Sequence, residues 1–248
     1  MIRLRRPMAR PVSPRRGDPV WLLDLDNTLH DAMPVALPRI NQAITDFVRR
    51  KLAVSEHEAG ELRAHYWRRY GATLLGLVRH HGIDPHEYLR ETHRFPDMAR
   101  VVRKSGRLRR ALAQLSGRRV IVTNAPHHYA RSVVRALGVG ALIEGIVSIE
   151  TMRYAGGFQP KPSRPMMRRI VARLRAHPAR CVLVEDTIEN LAGARAAGVR
   201  TVLVTGMNEA RRPLDQRSRA GSARHAELQV QSVGNLARRM SRRLSPQA

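Results

Sequence analysis

The stretch Val20-Trp21-Leu22-Leu23-Asp24-Leu25-Asp26-Asn27-Thr28-Leu29 decides how the chain is read. Four apolar residues run straight into two aspartates one residue apart, and a threonine follows. An apolar run without a helical stripe is the pattern of a strand buried on both faces, as in a parallel sheet. Residues two apart on a strand share a face, so Asp24 and Asp26 are expected to point the same way where the strand ends. Open α/β sheets bind their ligands at the carboxyl ends of their strands. Two close carboxylates repel, and a bound cation or one raised pKa relieves them. A plain strand-ending Asp-Asn turn is the competing reading of these residues taken alone.

The same rhythm recurs further along. Arg119 to Thr123, Gly145 to Ile149, Arg180 to Val184 and Arg200 to Val204 read as further buried strands. Between them lie helical stretches: His127 to Leu137 closed by Gly138, Ser163 to Ala176 with Ser163 as N-cap, and Thr187 to Ala197 before Gly198. Strands alternating with helices imply right-handed crossovers and an α/β, doubly wound parallel sheet of Rossmann-like type. The segment from about Asp31 to Arg100 shows helical spacing only. Ile40, Ala43, Ile44, Phe47 and Val48 recur on one face, Ser55 with Glu58 forms a capping box, and Asp84 caps a helix opening at Pro85. Another helical stretch, Arg100 to Leu115, is expected to break near Ser105-Gly106. The resulting division is a basic tail over 1–17, an α/β core over 18–30 and 101–206, an inserted helical cap over 31–100, and a basic extension over 207–248. That extension carries a short helix near Val233 to Leu244.

Composition narrows the function classes. Lys+Arg number 45 against 20 Asp+Glu, a formal charge of +25. Only Lys51, Lys104 and Lys161 are lysines, so the excess is almost wholly arginine. Such a field attracts phosphorylated substrates or polyanions, although a coding bias towards arginine produces the same composition. Arg3, Arg5, Arg6, Arg10, Arg15 and Arg16 near one end, and Arg238, Arg239, Arg242 and Arg243 near the other, read as weakly ordered basic tails. No zinc-finger spacing, basic-zipper heptad or aromatic-interleaved basic motif accompanies them, so nucleic acid is not expected as the main partner. No apolar run is long enough to span a membrane, and the start of the chain makes a poor secretion signal. The single cysteine, Cys181, excludes an internal disulfide and reads as a buried thiol, which fits a reducing, cytoplasmic location.

The chemistry gathers at strand ends. Asp24 and Asp26, Thr123 and Asn124, Lys161 after the third strand, and Glu185 with Asp186 can converge on one crevice although far apart in sequence. Asp24, Asp26 and Asp186 supply the hard oxygen ligands that Mg²⁺ prefers. Lys161, the only lysine in the second half of the chain, suits a compact charge set against a phosphate. Each group alone is an ordinary turn or helix cap; the ordered set is far more specific.

This set resembles the motifs of the haloacid dehalogenase-like superfamily. Asp24-Leu25-Asp26-Asn27-Thr28 is similar to the first motif, Thr123-Asn124 to the second, Lys161-Pro162 to the third, and Glu185-Asp186 to the fourth. The resemblance runs from about Val20 to Val204. The helical insert between the first two motifs looks like the cap of one subclass. Within it, Tyr66 to Leu77, Thr123-Asn124-Ala125 and Glu185 to Leu191 resemble the pyrimidine 5′-nucleotidase group. The resemblance implies an Mg²⁺-dependent phosphomonoesterase acting on a small phosphorylated metabolite such as a nucleoside 5′-monophosphate. Asp24 would be the nucleophile that forms an aspartyl-phosphate, and Asp26 the acid and base. Thr123, with the backbone around Asn124, would hydrogen-bond the phosphoryl oxygens, and Lys161 would balance their charge. Asp24, Asp26, Asp186 and Glu185 would hold the metal, Glu185 directly or through water, while Thr28 supports the turn. Dehalogenating members lack an acid/base aspartate at position 26, so its presence favours phosphate esters; phosphomutases and sugar-phosphate phosphatases share it. Of the two cap-region lysines, neither Lys51 nor Lys104 sits in a phosphonatase-like motif. His65, Arg68, Tyr70 and Thr73 are the cap residues with groups suited to substrate contact, helix packing being the alternative for each. A basic nucleic-acid-binding protein built on the same scaffold is the reading from another class.

Overall fold

The computed structural model describes residues 17–154, 156–206 and 224–244. The predicted tail thus falls outside the described residues except for Gly17, as does much of the stretch after residue 206. The opening stretch forms β1 (Val20–Leu23), with all four residues buried. Its neighbours are β2 (Arg118–Val122) and β6 (Cys181–Glu185), both parallel to it. Beyond them lie β3 (Gly145–Val147) on one side, then β7 (Arg200–Val204) and β8 (Leu228–Val230) on the other. The sheet order is β3-β2-β1-β6-β7-β8, all neighbours parallel. A short antiparallel ribbon, β4 (Arg153–Tyr154) and β5 (Gly157–Phe158), stands apart.

The period of two along the strands sorts their side chains into two layers. Val20, Leu22, Val120, Val122, Cys181 and Leu183 pack on one face with Met166, Met167 and Ile170 of α8 (Arg164–Arg173) and Leu191 of α9 (Ile188–Ala196). Trp21, Leu23, Ile121, Val182 and Val184 pack on the other face. Their apolar cluster takes in α6 (Gly106–Gln114) and α7 (His127–Leu137), with Leu108, Leu112, Tyr129 and Val133 buried in it. Cys181 is buried as expected, and burial raises its thiol to about 11.

Between β1 and β2 the chain is helical: α1 (Ala36–Leu52), α2 (Glu56–Tyr70), α3 (Thr73–His81), α4 (Pro85–Thr92) and α5 (Met98–Val101). The Ser55/Glu58 capping box forms, and Asp84 accepts from the amides of His86 and Glu87. α2 and α3 lie against each other closely because position 76 is glycine; a β-carbon there would meet the Tyr66 ring at 2.1 Å. Phe47 of α1 meets Tyr88 of α4 edge-on at 5.3 Å. These helices share one apolar cluster with the sheet, so the insertion packs onto the core face that carries Trp21 and Leu23.

The break expected near Ser105-Gly106 forms: α5 ends at Val101, and Ser105 caps α6 through the Leu108 amide. Two expectations need correction. The third strand stops at Val147, after which Ile149–Thr151 tighten into a 3₁₀ turn. The segment after residue 206 is no mere extension: Leu228, Gln229 and Val230 continue the sheet beside β7. α10 (Val233–Leu244) then buries Val233, Leu236 and Ala237 in the core, against α6. Arg238 and Arg239 therefore ride on a packed helix rather than a loose tail. Among the described residues, no helix is long and apolar enough to cross a membrane.

Candidate active site

The sheet reverses its direction of growth at β1, with β2 and β3 laid down to one side and β6 to β8 to the other. Such a switch point leaves a crevice at the carboxyl ends of the strands. The Asp24 amide donates to the Val184 carbonyl at 2.9 Å and the Thr123 amide to the Val147 carbonyl at 3.0 Å, so each residue leaves its strand still tied to a neighbour. A cleft of about 550 Å³ opens there, lined by Asp24, Asp26, Thr123, Asn124, Lys161, Glu185 and Asp186. The structure brings all seven sequence-selected residues together.

Lys161 is the electrostatic centre. It is buried, and its ammonium donates to Asp24 Oδ1 at 2.6 Å and to Glu185 Oε2 at 2.5 Å. Burial opposes that charge, but Asp24 and Glu185 outweigh it and hold the ammonium above its usual range. Asp24 feels the opposite balance: burial first, then Glu185, push its carboxyl up to about 8 despite Lys161. Burial raises Glu185 as well. Glu185 Oε1 also accepts from the Thr187 amide at 3.2 Å, which fixes both its oxygens. Asp24, Glu185 and Asp186 each bring one carboxylate oxygen within 4.8 Å of the others. Hard oxygen donors of this kind match Mg²⁺.

Asp26 is held separately. Its Oδ1 lies 2.8 Å from His30 Nε2 and accepts from the Tyr129 hydroxyl at 2.8 Å. Asn27 makes this turn possible with a left-handed φ of 58°, a conformation asparagine tolerates better than most residues. Its Oδ1 accepts from the Ala32 amide at 3.2 Å. The turn is thus supported by the Asn27 side chain; the buried Thr28 hydroxyl, expected in that role, finds no partner among the described residues.

Thr123 Oγ1 accepts from the Ala125 amide at 3.1 Å, which leaves its proton to donate into the cleft. The Asn124 side chain is spent on the Lys161 backbone. Nδ2 donates to the Lys161 carbonyl at 3.0 Å and Oδ1 accepts from the Lys161 amide at 2.9 Å. This pair of bonds locks the lysine segment to the β2 end. α9 supports it from behind, where Gly193 lies so close to Pro162 that a β-carbon would sit 1.9 Å from the Pro162 oxygen.

The helical insertion closes the cleft with Leu37, Trp67, Arg68 and Gly71. Of the four cap candidates only Arg68 lines it. Tyr70 pairs its hydroxyl with His80, Thr73 donates to the Arg63 carbonyl, and His65 packs edge-on against Tyr66. Sequence reasoning missed Tyr129, His30, Trp67, Glu189 and Asn190. His30 stands four residues after Asp26 and was open to notice. Tyr129 reads only as the apolar face of α7, because its partner is 103 positions away.

A family model described as haloacid dehalogenase-like hydrolase matches residues 20–198. Phosphate metabolism protein 8 of Saccharomyces cerevisiae (strain ATCC 204508 / S288c) is 25% identical over 149 residues, 54% of this chain and 46% of that protein. The chain thus spans about half the length of the curated relative it matches. A HAD phosphatase from Thermococcus onnurineus superposes with a TM-score of 0.55 at 18% identity, over 90% of this chain and 97% of that one. An L-2-haloacid dehalogenase from Xanthobacter autotrophicus, with chloropropionic acid covalently bound, gives 0.56 at 16% identity, over 92% and 100%. Identities this low establish the shared fold. Taken with the family match over most of its length, they place this chain among the haloacid dehalogenase-like hydrolases.

Proposed function

We propose that the chain is an Mg²⁺-dependent phosphomonoesterase that works through an aspartyl-phosphate on Asp24, with a nucleoside 5′-monophosphate as the substrate class to test first. The observation that carries this reading is the division of labour between the two aspartates. Lys161 engages Asp24, whereas Tyr129 and His30 orient Asp26 on its own. A haloacid route needs only the first carboxylate; an ester needs a proton for its leaving oxygen, and Asp26 is placed to give one. The name of the yeast relative, which refers to phosphate metabolism, supports the same side.

In this mechanism Asp24 attacks phosphorus in line with its oxygen Oδ2, since Oδ1 is taken by Lys161. Asp26 protonates the departing alcohol and then draws a proton from the water that hydrolyses the aspartyl-phosphate. The Thr123 hydroxyl, the Asn124 backbone and the Lys161 ammonium take the charge on the phosphoryl oxygens. Asp24, Asp186 and the Asp26 carbonyl would hold the metal, with Glu185 beside them directly or through water. A bound Mg²⁺ supplies charge neutralisation, both to the carboxylates and to the phosphoryl group. Trp67, Arg68 and Leu37 face the leaving group from the cap side and shield the reaction from bulk water.

The test is release of inorganic phosphate from a generic phosphate ester, then from a panel of phosphorylated metabolites that includes nucleoside monophosphates. Turnover should need Mg²⁺, vanish with chelator, and be abolished by Asp24→Asn in a protein that still melts cooperatively. Substantial hydrolysis by Asp24→Asn, or activity confined to haloacids, would overturn the reading.

A further inference from the structure

The chain holds 3 phenylalanines, 5 tyrosines and 2 tryptophans, and all of them lie among the described residues. Trp21 donates its N–H to the Ser116 carbonyl at 2.8 Å, and every phenylalanine and tyrosine meets another ring or a guanidinium. Trp67 is the exception. It is 63% exposed, and among the described residues its indole meets no ring or cation and its N–H has no hydrogen-bond partner. A lone exposed apolar residue is ordinary on a surface; this one lines the cleft that holds Asp24 and Lys161.

The backbone around Trp67 is fixed against the core. Gly71 closes α2 with a left-handed φ of 76°, and its amide donates to the Trp67 carbonyl at 2.9 Å. A β-carbon on Gly71 would lie 4.0 Å from Pro162 Cδ, so this end of α2 rests beside the residue that follows Lys161. Trp67 stands one turn back, about 5 Å along the helix axis. Arg68 lines the cleft next to it, and Glu189 and Asn190 line it from α9. Neither Arg68 nor Glu189 is ion-paired among the described residues. A donor, an acceptor and an amide that is both therefore remain available around the indole.

We propose that Trp67 is the specificity-determining residue of the cleft: its indole stacks on a flat heterocycle carried by the leaving alcohol. The preferred ester is then a nucleoside monophosphate rather than a bare sugar phosphate. The inference rests on the phosphatase reaction proposed above and adds which part of the substrate the cap reads. An aromatic platform accepts any nucleobase, because every base has a π-face. Trp67 thus selects the class, and the groups of Arg68, Glu189 and Asn190 face the donors and acceptors on the edge of the base. The indole lies away from phosphorus, so it holds the ground state and the transition state alike and acts on KM rather than kcat.

The test compares hydrolysis of uridine and adenosine 5′-monophosphates with that of ribose 5-phosphate, which keeps the phosphate and sugar but lacks a base. Trp67→Ala should lower the ratio of kcat/KM, nucleotide over ribose 5-phosphate, by roughly tenfold or more, through KM. Trp67→Phe keeps a flat face and should hold that ratio within about threefold of the parent. A second readout needs no turnover. In Asp24→Asn with Mg²⁺, the nucleotide should quench the emission of the exposed Trp67, and ribose 5-phosphate should not. Trp67→Phe in that background should lose the quench, because the remaining Trp21 is buried. Equal losses of kcat/KM on nucleotide and ribose 5-phosphate, or a loss on neither, would overturn the platform and leave the phosphatase standing. Unchanged emission with a nucleotide that the parent hydrolyses would overturn it too. Hydrolysis of no ester at all would refute the reaction instead, and the quench would then decide the platform.

Discussion

Gly193→Ala is the sharpest probe of how the cleft is assembled, because the residue touches no candidate catalytic group. Its added methyl would sit 1.9 Å from the Pro162 oxygen and 2.7 Å from the Pro162 carbonyl carbon, both backbone atoms. A rotamer change cannot relieve that overlap, so α9 and the Lys161-Pro162 segment must part by roughly 1 Å or more to reach normal contact. Overpacking of this kind costs about 1–3 kcal/mol, of which the better helix propensity of alanine returns about 1 kcal/mol. Net stability should therefore fall only modestly. Activity should fall much further, because the displaced segment carries the ammonium held 2.6 Å from Asp24 and 2.5 Å from Glu185. A misplacement of roughly 1 Å in such a group costs on the order of 100-fold in rate, or about 2.7 kcal/mol of barrier. The assay is steady-state hydrolysis of a phosphate ester with Mg²⁺, run beside thermal melts. Gly60→Ala is the control, since nothing lies within 4 Å of its added carbon. A folded Gly193→Ala variant with a rate within twofold of the parent would refute the reasoning.

Three further predictions follow from the same contacts. Asn124→Ala removes both bonds to the Lys161 backbone; at about 1 kcal/mol each, urea unfolding should show a loss of roughly 2 kcal/mol alongside a lower kcat. Tyr129→Phe takes one of two hydrogen bonds from Asp26 and should reduce kcat about tenfold with KM within twofold, whereas an equal change in both would place Tyr129 in substrate binding. His93 is depressed from 6.5 to about 4, mainly by burial, so it stays neutral in the fold while the unfolded chain takes up a proton. Its contribution is therefore present above about 6.5 and lost as pH falls towards 4, roughly 1–2 kcal/mol by pH 5. His93→Gln should show a shallower fall in urea midpoint between pH 7.5 and pH 5, and an unchanged slope would contradict the assignment.

The sheet was legible in the sequence wherever burial on both faces left an uninterrupted apolar run, as in Val20 to Leu23 and Cys181 to Val184. Caps were legible too, because Ser55/Glu58 and Asp84 act over three residues. β8 was not: Leu228-Gln229-Val230 is short, interrupted by a polar residue, and given its place only by pairing with β7. The β4–β5 ribbon is shorter still. In the site, residue types at strand ends revealed which groups meet, since parallel topology brings those ends together. They could not reveal how the groups divide their hydrogen bonds. Nothing in the sequence ties the Asn124 side chain to the Lys161 backbone, 37 positions away. The Asn27 left-handed turn and the Tyr129 bond to Asp26 likewise depend on three-dimensional placement.

The central claim is that Asp24 becomes covalently phosphorylated, and trapping that species tests it most directly. Protein mixed with Mg²⁺ and a turned-over phosphate ester, quenched in acid during steady state and digested, should yield one peptide heavier by a single phosphoryl group. Fragmentation should place that group on Asp24, and Asp24→Asn should abolish it. Full turnover with no such peptide, or with the phosphoryl group on another residue, would contradict the account.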